Sequence, residues 1–474
     1  SNIDRHPTSR EGITCIVCHR VNQAYGKISG RLSIVEGDIF DPVFGPQGNE
    51  ELQRALGSGE YFLNTERGRP GRDVHGDVEQ FFQLTTPAQC GTCHDVNLLN
   101  GFRLEEAFSE FKNSPAAENG TTCQDCHMGT QPGVASGYDE APAALVGRSP
   151  TRSRKRTNHM FAGPDYSVVH PGIFPHNVQA QRMASISEWL DFEVELGWGT
   201  DEFERNVPDD YVFPDRWRTA DDRYDARDII DDNRELLAEI AQQRLALLRA
   251  GYKLGEIVVE KVSDRGIEIR VPVSNGTDGH NVPTGFDAER LVWLHVRIVD
   301  AAGKLVFESG DLDPNGDVRD THSLYVHNGE LPLDRQLFSL QSRFLTRMVR
   351  GGEREQVLAV NYSPDPLPFV RPSTNSTILT GRPQGARKHR QTIPPHRSVW
   401  AEYAVSRAAL RDSVGPYTAS VQLKAAMVPV NLIHEIEDVG FDYSMSARDV
   451  ADGVVAGHLV IWDVESQLRA NREE

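Results

Sequence analysis

The pattern of hydrophobic positions changes from helical to alternating near residue 251. Apolar and polar residues alternate in "EIVVEKV" and "IEIRVPV", on either side of "SDRG", and again in "RLVWLHVRIVD" and "KLVFESG", on either side of "AAG". These two patterns predict β-hairpins. The same alternation predicts strands at 398–405 and 417–428. Several strands with short turns and no helix between them predict an antiparallel β-sandwich of immunoglobulin-like type over 251–428.

The segment before residue 251 has a helical period. In "RELLAEIAQQRLALLRAG" the leucines and the isoleucine recur at helical spacing and the pattern stops at Gly251, which predicts a long helix. Residues 201–232 are acidic, so 201–250 is predicted to be an acidic linker followed by a connecting helix. Shorter helices are predicted in "LEEAFSEFKNSPAAENG" and in "QAQRMASISEWLDFEVEL" (179–196).

Residues 1–200 are otherwise rich in Gly and Pro and have few long periodic segments. The fold predicted is therefore α+β and multidomain, with a mostly helical or irregular N-terminal domain over 1–200 followed by the β-sandwich. The Pro-rich region 310–395 is predicted to be an irregular insertion in that sandwich. Residues 429–474 are predicted to combine a short helix with "HLVIWDVE", which either returns as an edge strand or packs on the N-terminal domain.

The composition of the chain limits the kinds of partner that it is expected to bind. The chain has 474 residues, 69 of them acidic and 50 basic, and its net charge of −19 argues against nucleic-acid binding. An acidic surface suits docking to a basic protein partner. The longest apolar runs, such as 291–299, fall short of the roughly 18–20 residues that span a bilayer, so no transmembrane segment is expected. The first residues lack the features of a secretory signal, so an export signal is inferred to lie outside this chain.

All six cysteines occur in three copies of one motif, Cys-x-x-Cys-His: "CIVCH", "CGTCH" and "CQDCH". Paired cysteines serve as disulfides, zinc ligands, redox thiols or attachment points for c-type haem, and only haem attachment explains the histidine. Zinc needs the pairs combined into fours, and thiol redox needs one active pair. A disulfide scaffold is expected in a much shorter chain.

The motif therefore predicts three covalently attached c-type haems, each with thioether bonds to two cysteines and an axial bond to the adjacent imidazole. The predicted attachment residues are Cys15, Cys18, Cys90, Cys93, Cys123 and Cys126, and the predicted proximal iron ligands are His19, His94 and His127. Attachment of this kind is associated with the oxidising, exported side of the bacterial membrane, so a periplasmic or extracellular location is expected.

The occupant of the sixth iron position separates two functions. A second strong ligand is typical of an electron carrier, whereas an open position binds a small substrate. The candidate distal ligands are His6, His75, His159, which shares a Pro- and Gly-rich stretch with His170 and His176, and the more distant His280. For each of them an ordinary surface or hydrogen-bonded histidine is the alternative, and Met160 competes with its neighbour His159.

An acidic turn in "DLDPNGDVRDTH" raises a second metal hypothesis. Its oxygen-bearing side chains alternate around a glycine, as in the first half of a calcium loop, and they are Asp311, Asp313, Asn315 and Asp317. Position twelve is His322 where a calcium loop has glutamate. A calcium site and a plain Asx-rich turn are thus both open.

A family resemblance depends on the three attachment motifs and on two further stretches. These are "SPAAENGTTCQDCHM" leading into "NHMFAG", and "GHNVPTGFDAERLVWLHV". The chain resembles exported multihaem cytochromes c that join an N-terminal haem domain to a C-terminal immunoglobulin-like domain. The resemblance implies that His159 of "NHMFAG" and His280 of "GHNVPTG" are distal ligands. Many such proteins carry four or more haems, and this chain has three motifs, so the match of each histidine to an iron stays open.

These observations favour an electron carrier or relay between redox proteins. The alternatives are a multihaem oxidoreductase, in which one open haem site acts on a small nitrogen or sulfur compound, and a structural role in which the β domain binds another subunit.

Overall fold

The computed structural model describes residues 13–24, 28–97, 103–142, 144–146, 148–166, 178–350, 354–359, 383–439 and 445–469. Helices and sheets are both present, which confirms the predicted α+β mixture. Short helices and two-stranded ladders make up the first part of the chain, and larger antiparallel sheets make up the last part. Three of the histidines discussed above, His6, His170 and His176, lie outside the described residues.

Short elements fill the N-terminal part, because Pro and Gly interrupt the chain at close intervals. Its helices are Cys15–His19 (α1), Glu50–Gly57 (α2), Pro87–Gly91 (α3), Ala107–Lys112 (α4), Pro115–Glu118 (α5), Cys123–His127 (α6), Val178–Met183 (α7), Ile186–Leu190 (α8) and Asp201–Asn206 (α9). Its strands are Val43–Gly45 (β1), Leu63–Asn64 (β2), Arg72–Asp73 (β3), Val78–Gln80 (β4), Val96–Asn97 (β5), Arg103–Glu105 (β6), Asp139–Pro142 (β7), Leu145–Val146 (β8), Ser149–Pro150 (β9) and Ser153–Arg156 (β10). The strands pair only as two-stranded ladders: β1 with β4, β2 with β3, β5 with β6, β7 with β10 and β8 with β9.

The helix predicted between the second and third motifs is present as α4 and α5, split after Asn113. The single helix predicted over 179–196 is instead two short ones, α7 and α8. Ser185 separates them because its hydroxyl accepts a hydrogen bond from the Glu188 amide and starts a new helix there.

The predicted acidic linker is largely helical. The long helix Ala220–Gly251 (α10) begins well before the predicted start, at Thr219, whose side chain accepts a hydrogen bond from the Asp222 amide. The acidic character of the first turns is compatible with a helix N-terminus, where negative charge is favourable. Ala226 and Ile230 are fully buried, so this half of the helix belongs to a packed core and is not a free connection.

Three tryptophans form the centre of that core. Trp189, Trp198 and Trp217 are at most 2 % exposed and pack with Phe192 and the buried face of α10. Two of the indoles donate to backbone oxygens, Trp189 to Ala180 at 3.0 Å and Trp217 to Glu188 at 2.6 Å. Residues 180–230 thus contain one aromatic cluster, in which the indole N–H groups of Trp189 and Trp217 are hydrogen-bonded.

The predicted strands and hairpins after residue 251 are present. The strands are Tyr252–Leu254 (β11), Val258–Ser263 (β12), Gly266–Asn275 (β13), Leu291–Val299 (β14), Leu305–Ser309 (β15), Arg343–Arg350 (β16), Arg354–Ala359 (β17), Pro383–His389 (β18), Ser398–Ser406 (β19), Tyr417–Ala426 (β20) and Leu459–Leu468 (β21). One antiparallel sheet has β13 between β19 and the pair β11 and β12, and a second has the order β15-β14-β20-β21. The hairpins β12–β13 and β14–β15 match the two predicted turns.

The two four-stranded sheets share one hydrophobic core. Alternate residues of β13, from Ile267 to Val273, are buried together with alternate residues of β14, from Val292 to Ile298. Leu248 of α10 joins the same cluster, and the Arg249 guanidinium donates to the Ile461 carbonyl at 2.9 Å. The long helix thus reaches from the tryptophan core to the sheets.

The region 310–395 is more regular than predicted. It contains the helix Leu324–His327 (α11) and a three-stranded sheet of order β17-β16-β18. After β20 come the helices Val430–Glu435 (α12) and Ala447–Ala456 (α13), and β21 then pairs with β20 at the sheet edge, the first of the two predicted alternatives. Among the described helices, none is both long and apolar enough to cross a bilayer.

Trp217→Ala is expected to lower the free energy of unfolding by about 3–5 kcal/mol, because it removes a fully buried indole from a packed aromatic cluster. Chemical unfolding followed by far-ultraviolet circular dichroism measures the change. Val212→Ala is the control, since Val212 is 87 % exposed in the same segment, and it is expected to change stability by less than about 0.5 kcal/mol. Equal losses in the two variants would contradict the tryptophan core.

Candidate haem-binding site

Each Cys-x-x-Cys-His motif is folded as a helical turn. The first and third motifs are the helices α1 and α6, and in the second the His94 amide donates to the Cys90 carbonyl at 2.9 Å, just past α3. The third turn is capped by Thr122, which accepts from the Asp125 amide, while the Asp125 carboxylate accepts from the Thr122 amide. This geometry brings each histidine onto the same turn as its first cysteine, as the motif predicts.

The second and third turns lie against each other. Gln124, between the two cysteines of the third motif, donates its side-chain amide to the carbonyl oxygens of Leu84 and Thr86, which precede the second motif. The thiols of Cys90 and Cys123 interact, which lowers the pKa of Cys90 and raises the pKa of Cys123. A side chain at Gly91 would collide with the Phe108 ring, with its Cβ 2.4 Å from that ring, so the close packing of the second turn requires glycine.

The first turn joins the same group. In the segment that follows it, the amides of Ser29 and Gly30 donate to the carbonyl oxygens of Asp95 and Thr92, at 2.9 and 2.7 Å. All three motifs are thus held together by hydrogen bonds between short irregular segments, some from backbone amides and some from the Gln124 side chain. Such an arrangement is what chain wrapped around large planar groups requires, since those groups replace ordinary core.

The six motif cysteines are free thiols, and the pKa values of several of them are shifted in different directions. All six lie in the described residues and none forms a disulfide. Burial raises the pKa of Cys126 to about 11 and also raises the pKa of Cys18 and Cys93, whereas the interaction with Cys123 lowers the pKa of Cys90. Within the described ranges no group of three or more His, Cys, Asp or Glu side chains is arranged around a metal position, so the motifs do not combine into tetrahedral zinc sites.

Two of the three motif histidines face a second imidazole from a distant part of the chain. The His127 and His280 ring centroids are 6.3 Å apart with ring planes 13° from parallel. The His19 and His159 centroids are 6.5 Å apart with an angle of 31°. His159 and His280 are the two candidates that the family resemblance favoured.

In three of these four rings, a backbone carbonyl lies within hydrogen-bond distance of Nδ1. His19 Nδ1 lies 2.7 Å from the Phe44 oxygen and His159 Nδ1 lies 3.0 Å from the Thr157 oxygen. His280 Nδ1 lies 2.7 Å from the Asn281 oxygen. A hydrogen bond at Nδ1 fixes the tautomer and leaves Nε2 as the nitrogen for a metal bond.

The environment of the third motif keeps its imidazoles neutral. Burial lowers the pKa of His127 to about 4, with smaller contributions from His280 and His94. Burial also lowers the pKa of His280, against a hydrogen bond with the Asn281 backbone. Neutral imidazole is the form that binds a metal, so these rings are ready to do so at neutral pH.

A single carboxylate from the N-terminal part positions the loop that carries His280. Glu110 on α4 accepts hydrogen bonds from the Thr284 hydroxyl at 2.7 Å and from the Asn281 side-chain amide at 3.0 Å, and it lies 3.5 Å from the Arg390 guanidinium. Burial is the largest effect on Glu110 and raises its pKa. The loop 280–284 is thereby attached to the helix that connects the second and third motifs.

The second motif has a different partner. His94 Nδ1 lies 3.1 Å from Glu105 Oε1, and this hydrogen bond is the main reason that the pKa of His94 is raised. Among the described side chains His94 is not paired with a second imidazole. His75, a predicted distal candidate, is exposed, with Nδ1 3.2 Å from the Ile39 oxygen, and it is not paired with an imidazole in the described part of the chain either.

The predicted calcium residues serve other purposes. Asp313 accepts from the amides of Asn315, Gly316 and Asp317, which makes an Asx-type turn. Asp317 accepts from the Val430 amide at the start of α12, and Asp311 pairs with Arg319. The four side chains therefore do not converge on a cation position, and calcium is unsupported.

Sequence reasoning missed Glu105 and Glu110. Both lie in "LEEAFSEFKNSPAAENG", which was interpreted only through the spacing of its apolar residues. The only signal was the presence of several acidic residues between the two motifs, and acidic residues on short elements are usually solvated. Only the contacts with His94 and with loop 280–284 distinguish these two from their neighbours.

Neither a known family model nor a curated protein matches this chain. Among solved structures it is similar to a penta-heme cytochrome c552 from Thermochromatium tepidum, with 15 % sequence identity and a TM-score of 0.45, over 98 % of this chain and 79 % of that chain. A likeness at this level establishes neither a shared family nor a shared function.

Glu110→Ala is expected to loosen loop 280–284, because it removes the acceptor for Asn281 and Thr284 at a half-buried contact, at a cost of about 1–3 kcal/mol. Hydrogen–deuterium exchange of residues 278–285 measures the loss of protection. Glu118→Ala, an exposed carboxylate on the neighbouring α5, is the control and should leave this exchange unchanged. Unaltered protection in the Glu110 variant would show that the loop is held by other contacts.

Proposed function

We propose that this protein is an exported multihaem c-type cytochrome that carries or relays electrons between redox partners. Two observations support this proposal. The chain has three complete Cys-x-x-Cys-His turns, and in two of them a second imidazole faces the motif histidine. When bound, haem supplies a one-electron iron couple whose potential depends on its axial ligands and surroundings.

The separation of the imidazoles is the observation that carries the proposal. Metal–imidazole bonds are about 2 Å long, so two rings bound to opposite sides of one iron have centroids roughly 6–6.5 Å apart. The observed values are 6.3 Å for His127 with His280 and 6.5 Å for His19 with His159. The residues present therefore fit bis-histidine ligation at the first and third motifs.

The roles of the residues follow from this fit. The six motif cysteines would form the thioether bonds, His19, His94 and His127 would be proximal ligands, and His159 and His280 would be distal ligands. Hydrogen bonds at Nδ1 hold the rings of His19, His159 and His280 in place, and burial keeps His127 neutral. The third motif would be a shared site, since the loop 280–284 of the C-terminal part supplies its second ligand.

The remaining parts of the proposal concern architecture and partners. The two four-stranded antiparallel sheets with a common core fit the immunoglobulin-like sandwich that the sequence predicts, with the N-terminal part as the haem-wrapping domain. A net charge of −19 favours docking to redox proteins with basic surfaces. Covalent haem attachment would place the mature protein in the periplasm or outside the cell.

The purified protein is expected to carry three covalently bound haems. Intact-mass measurement under denaturing conditions should show three added tetrapyrroles, because thioether bonds survive unfolding. Replacing both cysteines of one motif, Cys123→Ser with Cys126→Ser, should remove one of the three. A colourless protein without added mass would overturn the proposal.

His280→Ala and His159→Ala are each expected to convert one haem from low spin to high spin, because each removes one of two axial nitrogens. Electron paramagnetic resonance of the oxidised protein measures this change. His295→Ala is the matched control, since His295 bonds Glu308 within the second sheet. An unchanged spectrum in either ligand variant would remove that residue from the set of distal ligands.

The same measurement on the unmodified protein separates a carrier from an oxidoreductase. Three low-spin signals are expected for the carrier. A full-occupancy high-spin signal that nitrite, hydroxylamine or cyanide alters would instead support an enzyme with an open haem site.

A further inference from the structure

The proximal histidines differ in what holds their second ring nitrogen. His19 Nδ1 is bonded to the backbone oxygen of Phe44, a neutral acceptor. His94 Nδ1 is bonded to the side chain of Glu105, an acid. The two sites therefore present chemically different environments to otherwise identical ligands.

A short two-stranded ladder places Glu105 next to the second motif. Glu105 ends β6, which pairs with β5, and β5 follows His94 directly, so a short two-stranded ladder returns the acid to the ring. The Glu105 side chain is only 8 % exposed, whereas the His94 ring is 66 % exposed in the same contact. The carboxylate is buried beneath the ring, and the exposed His94 ring is the group that would face a bound haem.

The C-terminal part covers this carboxylate. Gly285, which has a φ of +75°, lies so near that a Cβ there would be 3.3 Å from Glu105 Oε1. Gly285 is in the same loop that carries His280 to the third motif. One loop thus supplies a ligand at the third site and shields the acid at the second, and shielding from water strengthens the effect of a charge.

We propose that Glu105 is a positioning residue that lowers the reduction potential of the second haem, the one held by Cys90, Cys93 and His94. This inference rests on the proposed function. A carboxylate that accepts the Nδ1 proton makes the imidazole a stronger donor, and a stronger donor stabilises the oxidised iron. Glu105 also fixes the orientation of the ring, as an acceptor at this position does in other metal sites.

Glu105→Gln tests the charge while it keeps an oxygen that can accept the same hydrogen bond. Spectroelectrochemical titration of the haem protein is expected to show one of three midpoint potentials raised by at least the equivalent of a tenfold change in the reduction equilibrium, about 59 mV for one electron. The other two potentials should stay in place. Glu105→Asp, which keeps the charge, should lie between the wild type and the Gln variant.

Glu106→Gln is the matched control. Glu106 is the adjacent carboxylate, and it pairs with Arg103 and Arg390. Its replacement by Gln removes the same charge. Three unchanged potentials in Glu105→Gln, or equal shifts in the Glu105 and Glu106 variants, would overturn the inference. A wild-type protein without three haems by mass would instead overturn the proposed function, so the two failures are distinguishable.

Discussion

The hydrogen bonds of Glu110 are the interaction on which the arrangement of this molecule depends. They connect a helix between the second and third motifs to the loop that carries His280, two parts of the chain that share no local sequence signal. A carboxylate that is nearly buried has to be satisfied, and its donors come from Asn281, Thr284 and Arg390. Because these partners are on the far side of the long helix in sequence, satisfying one acid brings the two halves of the protein together.

The long helix makes that connection rigid. Its first half is buried among tryptophans and its last turn joins the core of the sheets, so both ends are fixed by packing. Between them, the Asn158 side chain donates to Gln243 from the segment that leads to His159. The segment that carries His159 is thus attached to the same helix.

The three motifs are alike in sequence and unlike in surroundings. The third is half-buried between two parts of the chain, and burial lowers the pKa of its histidine to about 4. The first is held by neutral backbone acceptors, and the second is held by a buried acid. Differences of this kind would give the three proposed haems different properties.

The sequence by itself determined what depends on neighbouring residues. The Cys-x-x-Cys-His spacing identifies three attachment turns, and the alternation around "SDRG" and "AAG" identifies two hairpins, since local periodicity and turn chemistry are sufficient for both. Tertiary structure alone decided which imidazole faces which motif, where α10 begins and what Glu105 and Glu110 do. Those outcomes depend on contacts between residues far apart in the chain, in particular burial of Ile230 against tryptophans and the approach of loop 280–285 to α4 and β6, and no local pattern encodes them.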